Sequence, residues 1–246
     1  MTQDKAITIG ILAMQGAVAE HQVMLKKVSS HTPTTITIVL IREVVDLSRC
    51  DGLIIPGGES TTMALLARLA GLTEPLREFV QKKPVWGTCA GAILLSQAVE
   101  GVKKGGQELL GGVDVKTERN GWGSQIESFE VPLFVEGLRE PDRPFTGVFI
   151  RAPVILDITP STFSPPVQIL ARLSAALLPH GQTLVAADED DTDPRDARTV
   201  VALRQGRHLL TTFHPELTTD DRFHEFFITE YIALFAFIKI TLASSV

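Results

Sequence analysis

Cysteine is scarce. The 246-residue chain holds only Cys50 and Cys89, too few for a disulfide framework, and neither sits in a CxxC pair or beside histidines at ligand spacing, so no metal site is expected. A reducing compartment suits such a chain. Basic charge is also short, with 23 Lys and Arg against 29 Asp and Glu and a net charge of −6. The basic residues cluster no further than pairs such as Lys26-Lys27 and Lys103-Lys104, which gives no footprint for a phosphate backbone and argues against a nucleic-acid partner. No apolar run reaches the about 20 residues that span a bilayer. The richest, Phe226 to Leu242, is interrupted by Thr229, Glu230, Lys239 and Thr241 and reads as a docked terminal helix rather than a membrane contact. Met1 to Lys5 has neither a basic n-region nor a small-residue cleavage site, and a cytoplasmic location is expected. Neither G-x-x-x-x-G-K-[ST] nor G-x-G-x-x-G occurs, so neither a P-loop nor a dinucleotide site is indicated, and no cofactor is expected.

What is present is the composition of an ordinary globular protein, 44% hydrophobic and 21% charged, long enough to bury a core without staples and expected to form one domain over residues 1–246. Three short β-branched runs, Ile7 to Met14, Ile36 to Ile41 and Gly52 to Ile55, predict buried parallel strands. Glu20 to Val28 and Thr62 to Ala70 have helical spacing, which yields the alternation of an α/β, doubly wound, mostly parallel sheet with helices on both faces. Pro84-Val85-Trp86 predicts a further strand, followed by a helix over Ala92 to Val99. Ser128 to Phe134 and Thr146 to Ile150 predict short antiparallel strands appended to that sheet, and Val200 to Leu203 and His208 to Phe213 predict two more around the Gln205-Gly206 turn. Residues 160–182 and the acidic stretch 188–198 fit no regular element and read as surface excursions.

Three segments carry chemistry. Gly87-Thr88-Cys89-Ala90-Gly91 is a G-x-C-x-G nucleophile elbow between strand and helix, where small neighbours leave the central side chain accessible and the helix start favours a thiolate. Cys50 has no such setting and reads as an inert buried cysteine. Phe213-His214-Pro215-Glu216 ends the last apolar strand with an imidazole that can serve the sulfur and a carboxylate that can orient it; the other five histidines offer no such case. Ile55-Pro56-Gly57-Gly58-Glu59-Ser60-Thr61-Thr62 leaves a strand through paired glycines whose N–H groups can approach an oxyanion. All three lie at carboxyl ends of strands, where open α/β sheets build their sites. Together they predict acyl transfer from an amide or ester through a thioester on Cys89. On the residues alone, a cysteine peptidase on the same scaffold and a catalytically silent regulatory subunit are the alternatives.

These segments resemble the class I glutamine amidotransferases, whose Cys…His-x-Glu triad corresponds to Cys89, His214 and Glu216. With Leu12-Ala13-Met14-Gln15-Gly16-Ala17, Glu118-Arg119-Asn120 and Phe145-Thr146-Gly147-Val148-Phe149-Ile150-Arg151-Ala152-Pro153 added, the chain is similar over about residues 9–225 to the glutaminase subunits of pyridoxal 5′-phosphate synthases. The resemblance implies a flavodoxin-like fold and hydrolysis of L-glutamine, with ammonia passed to a separate synthase subunit in a hetero-oligomer. It assigns Gly57, Gly58 and Glu59 to glutamine and its oxyanion, Arg119 to the α-carboxylate region, Ile150 and Arg151 to the rest of the substrate, and Gln15 to the partner interface. Without it, a surface ion pair is the lesser competing reading of Arg119 and Arg151, and Gln15 reads equally as a solvated turn residue.

Overall fold

The computed structural model describes residues 6–102, 106–122, 128–159, 161–178 and 196–233. The first half alternates β1 (Ala6–Leu12), α1 (Val18–His31), β2 (Thr35–Ile41), α2 (Val44–Ser48), β3 (Gly52–Ile55), α3 (Ser60–Leu69), α4 (Thr73–Lys82), β4 (Val85–Thr88) and α5 (Ala90–Leu95). Short strands follow: β5 (Ser96–Glu100), β6 (Val113–Glu118), β7 (Ser128–Leu133), β8 (Phe145–Ile150), β9 (Val154–Ile158), β10 (Val167–Arg172), β11 (Val200–Gln205) and β12 (His208–Thr211), before α6 (Arg222–Phe226).

The main sheet has seven strands in the order β10-β11-β12-β4-β3-β1-β2. From β2 through β1, β3 and β4 to β12 the pairing is parallel, and β11 and β10 close the far edge antiparallel. The parallel part has the flavodoxin-like order, with its switch point between β1 and β3.

Period-two alternation puts successive strand residues on opposite faces of this sheet. Ile9, Ile11, Ile54, Trp86 and Leu209 join one core with Leu25 and Val28 of α1 and Phe223 of α6. Leu53, Ile55, Val85 and Leu210 join the other with Met63 of α3, Leu76 and Phe79 of α4 and Leu94 of α5. Both faces are covered, which is why the strands read as continuous apolar runs.

Several expectations are corrected. The helix predicted over Ala92 to Val99 stops at Leu95. Ser96 Oγ turns back to donate to the Ala92 carbonyl at 2.8 Å, and Ala98 and Val99 pair with Lys116 and Thr117 of β6, so strand pairing overrides helical spacing. The short strands do not extend the main sheet: β7 and β8 form their own hairpin, and β5, β6 and β9 a separate three-stranded sheet. Residues 160–182 are not wholly irregular, since β10 pairs antiparallel with β11 and buries Leu170 and Ala171; the Pro165-Pro166 pair precedes the strand, at a sheet edge where proline costs no ladder bond. Of 188–198, only 196–198 lie within the described residues. From α6 the chain continues as a π-helix over Phe227–Ala233, with Phe227, Ile228, Tyr231 and Ile232 buried; the rest of the predicted terminal helix lies outside the described residues. Among those described, no helix is long and apolar enough to cross a membrane.

Candidate active site

Cys89 stands between β4 and α5 at φ 47°, ψ −101°, in the strained region a nucleophile elbow imposes. Its glycines are there for space. A Cβ on Gly87 would lie 2.5 Å from the Gly91 carbonyl oxygen, and one on Gly91 only 2.0 Å from that of Ile55, so α5 can sit against β3 and β4 only when both positions lack a side chain. The Cys89 N–H donates to the Thr211 carbonyl at 2.9 Å, tying the elbow to the strand that delivers the histidine.

That strand, β12, runs out through Thr212 and Phe213 to His214. Phe213 is wholly buried, 5.4 Å from the Phe149 ring and 5.5 Å from Phe223, and the His214 N–H donates to the Val148 carbonyl of β8 at 2.8 Å. These anchors hold the imidazole over the sulfur. His214 Nδ1 contacts Glu216 Oε1 at 2.8 Å, which leaves Nε2 for Cys89. Burial disfavours a charge on His214, yet hydrogen bonds to Cys89 and Glu216 outweigh it and raise the imidazole to about 10. Gly57 packs against this pair: a Cβ there would strike His214 Cε1 at 2.3 Å and approach Cys89 Cβ at 3.3 Å.

A cleft of ≈ 290 Å³ opens in front of the sulfur, lined by Gln15, Gly58, Glu59, Cys89, Arg119, Ile150, Arg151 and His214, with Ser60, Ala90, Ile93 and Asn120. Every candidate residue named from sequence lines it except Gly57 and Glu216, which stand directly behind. Among the described residues, three of the four non-glycine residues with positive φ, Cys89, Asn120 and Arg151, also line it, so backbone strain there is concentrated at this cleft. Asn120, in the Glu118-Arg119-Asn120 block, was not singled out from sequence, because a left-handed asparagine is as common in plain turns.

The polar wall is already knitted together. Glu59 caps α3, accepting from the Thr61 and Thr62 N–H groups and the Thr62 hydroxyl, and meets Arg119 Nη2 at 2.5 Å. Partial burial would raise its carboxyl, but these donors and Arg119 hold it at about 2. Arg119 Nη1 also donates to Thr61 Oγ1 at 2.7 Å, so its guanidinium faces the cleft in a fixed orientation. Gln15 Oε1 accepts the Glu59 N–H at 2.8 Å and touches the space beside Gly58, where a Cβ would come within 2.4 Å of it.

Cys50, by contrast, is buried, and burial pushes its thiol up to about 11, which suits an inert core residue. A larger concavity of ≈ 710 Å³ beside Val80, Gly112 and His208 opens at the start of β12, whereas Cys89 and His214 leave the carboxyl ends of their strands.

Sequence reasoning offered no case for His21 or His224, yet both lie behind Glu216, wholly buried. Burial lowers each to about 3, and burial with Arg207 lowers His208 to about 4. A histidine depressed in the folded state contributes its full stability above about 6.5 and loses it as pH falls towards the folded value. Each therefore costs up to about 1.4 kcal/mol per pH unit below that point. His214, shifted upward, is protonated in both states there and adds nothing to the loss. Thermal unfolding is expected to show a falling Tm between pH 6.5 and 4.5, and a flat Tm across that window would contradict neutral burial of these rings.

Residues 11–233 match the SNO glutamine amidotransferase family. A probable pyridoxal 5′-phosphate synthase subunit PDX2 of Arabidopsis thaliana is 43% identical over 228 residues, covering 90% of this chain and 85% of its own. A pyridoxal 5′-phosphate synthase subunit PdxT of Roseiflexus sp. (strain RS-1) is 43% identical over 223 residues, covering 90% and 99%. A crystal structure described as a glutamine amidotransferase superposes with a TM-score of 0.68 at 37% identity, over 90% of this chain and 97% of that one.

Proposed function

Because the chain belongs to the SNO glutamine amidotransferase family, we propose that it is a glutaminase that hydrolyses L-glutamine to L-glutamate and ammonia and supplies the ammonia to a synthase subunit making pyridoxal 5′-phosphate. The relatives named as subunits of that synthase support the pathway. The observation that carries the chemistry is the strained Cys89 facing the His214–Glu216 pair at the floor of a small polar cleft.

His214 Nε2, charged at neutral pH as its raised value requires, already holds the proton given up by Cys89, and Cys89 Sγ attacks the side-chain amide carbon of glutamine. The oxyanion is received by N–H groups of the Gly57-Gly58 loop and by that of Ala90, which follows the nucleophile at the start of α5. His214 returns the proton to the amide nitrogen, the C–N bond breaks and ammonia leaves a glutamyl thioester. Water, deprotonated by His214, cleaves the thioester and restores the thiol. Glu216 keeps the proton of the imidazole on Nδ1 throughout.

Substrate selection follows from the wall. A free amino acid needs a guanidinium for its carboxylate and an acceptor for its ammonium; Arg119 and Arg151 supply the first and Glu59 the second, with Ile150 flanking the aliphatic stem. The cleft of ≈ 290 Å³ lies at the bottom of the range of about 300–1,000 Å³ for small-molecule sites, which suits one amino acid better than a peptide. Gln15 is bonded to the oxyanion loop, so a synthase subunit docked over Gln15 in a hetero-oligomer would act on Gly57 and Gly58 directly. The chain's free thiols, Cys50 and Cys89, fit a cytoplasmic site of action.

Ammonia release from glutamine, measured for the full chain with and without the synthase subunit, tests the proposal. Release is expected with the partner present and reduced without it. No release in either case, or cleavage of peptides in preference to glutamine, would overturn it.

A further inference from the structure

Behind Glu216 stands a second tier of polar side chains that the reaction described above does not use. His21 comes from α1 and His224 from α6, which pack on the same face of the sheet. Glu216 Oε1 is taken by His214, while Oε2, also buried, has no hydrogen-bond partner. The group facing Oε2 is His21 Nε2, 3.6 Å away. The same nitrogen lies 3.3 Å from the hydroxyl of Thr88, the residue before the nucleophile. On the other side of the ring, His21 Nδ1 is 2.8 Å from His224 Nε2. Trp86 meets both imidazoles edge-on, with ring centroids 5.7 Å from His21 and 4.8 Å from His224, which restricts their rotation.

The proton positions follow from counting donors. Both rings are neutral, since burial disfavours a charge on either. If His21 Nδ1–H donated to His224 Nε2, the proton of His224 would sit on Nδ1, which is buried without a partner. The bare Nε2 of His21 would then turn a lone pair towards a carboxylate. An orphaned buried donor and a lone pair against an anion are both unfavourable. In the reverse arrangement His224 Nε2–H donates to His21 Nδ1, and His21 Nε2–H points at Glu216 Oε2 and Thr88 Oγ1. Only an acceptor, His224 Nδ1, is then left unused. At 3.6 Å the contact to Oε2 is longer than a hydrogen bond, so the N–H acts on the carboxylate as a facing dipole at close range rather than as a bonded donor.

We propose that His21, backed by His224, is a positioning residue of the glutaminase reaction: its Nε2–H, directed at Oε2 of Glu216 from 3.6 Å, attracts the carboxylate into the orientation that sets His214 against Cys89. The chain of contacts thus runs from α6 through α1 to the nucleophile and presents the donor end of each neutral ring towards the charge. This role rests on the glutaminase reading above.

Two substitutions and a spectrum test it. His21→Gln keeps an amide N–H near the place of Nε2, whereas His21→Met keeps the bulk and removes the donor. With the full chain assayed alongside the synthase subunit, His21→Met is expected to lower kcat by about 10- to 100-fold, the effect of a displaced catalytic group. Its KM for glutamine should stay within about twofold and its Tm close to that of His21→Gln, which retains most of the kcat. Equal kcat values in the two variants, or a loss confined to KM, would overturn the proposal. The imidazole ¹⁵N spectrum of the wild-type chain depends on neither variant's folding. Protons on Nε2 of both His21 and His224 are expected, and a proton on Nδ1 of His224 would overturn the arrangement. Absence of ammonia release by the wild type with its partner is failure of the glutaminase reading instead, and the spectrum still decides which way the histidine protons point.

Discussion

Cys89→Ala, in the full chain assayed with the synthase subunit, is expected to lower glutamine-dependent ammonia release by about 10⁴-fold or more, the scale of loss when the nucleophile of a coupled triad is removed. The substitution deletes one atom that faces the cleft. It leaves the Cβ, the elbow backbone and the Cys89 N–H bond to Thr211 in place. Alanine at φ 47° bears the same strain as cysteine, so stability should change little. Glutamine should still bind, because the residues proposed above to recognise its ends, Arg119, Arg151 and Glu59, are untouched. Calorimetric titration with glutamine beside a steady-state ammonia assay separates the two quantities. A variant that kept a tenth of the activity would show that some other group attacks the amide.

Gly91→Ala is expected to cost stability on a scale few single substitutions reach. Two effects oppose each other. Within a helix, alanine is intrinsically favoured over glycine by about 1 kcal/mol. Against that, the new Cβ would lie 2.0 Å from the carbonyl oxygen and 2.8 Å from the carbonyl carbon of Ile55. Both are backbone atoms of a central strand, so nothing flexible can yield, and relief requires prising α5 from β3. Overpacking a core costs about 1–3 kcal/mol where side chains can move, so about 3 kcal/mol or more is expected net. For a chain of this size that corresponds to a fall in Tm of roughly 6–12 °C. Gly71→Ala is the control: Gly71 has φ +69° and nothing within 4 Å of a Cβ, so the substitution should cost only about 1 kcal/mol of stability, as added backbone strain. Equal Tm values for the two variants would mean that the elbow does not need its second glycine.

How far the site was legible depends on how far apart its parts are in sequence. The elbow is local: Gly87, Cys89 and Gly91 span one turn, and their spacing carries the steric requirement that the structure shows at Ile55. The His214–Glu216 contact at 2.8 Å is equally local, two residues apart. Arg119 and Glu59 were both assigned to glutamine, whereas their pairing with each other at 2.5 Å joins residues 60 positions apart. That pairing makes one oriented unit of what sequence treats as two separate ligands.

β5 and β10 mark the same limit in the fold. Ser96 to Val99 continues a helical pattern, and only the presence of β6 alongside turns it into strand; β10 follows a proline pair and gains its place from β11. Sequence by itself determined the parallel strands, the switch-point edge, and the placement of Cys89 in an elbow with His214 and Glu216 at a neighbouring strand end, because period-two burial, glycine sterics and short-range pairing are written within a few residues. The tertiary structure alone decided which short strands pair, how Arg119 and Glu59 share their charges, and that His21 stands behind Glu216. His21 and His224 lie 203 residues apart, and their meaning comes from the helices that bury them together, which no local pattern records.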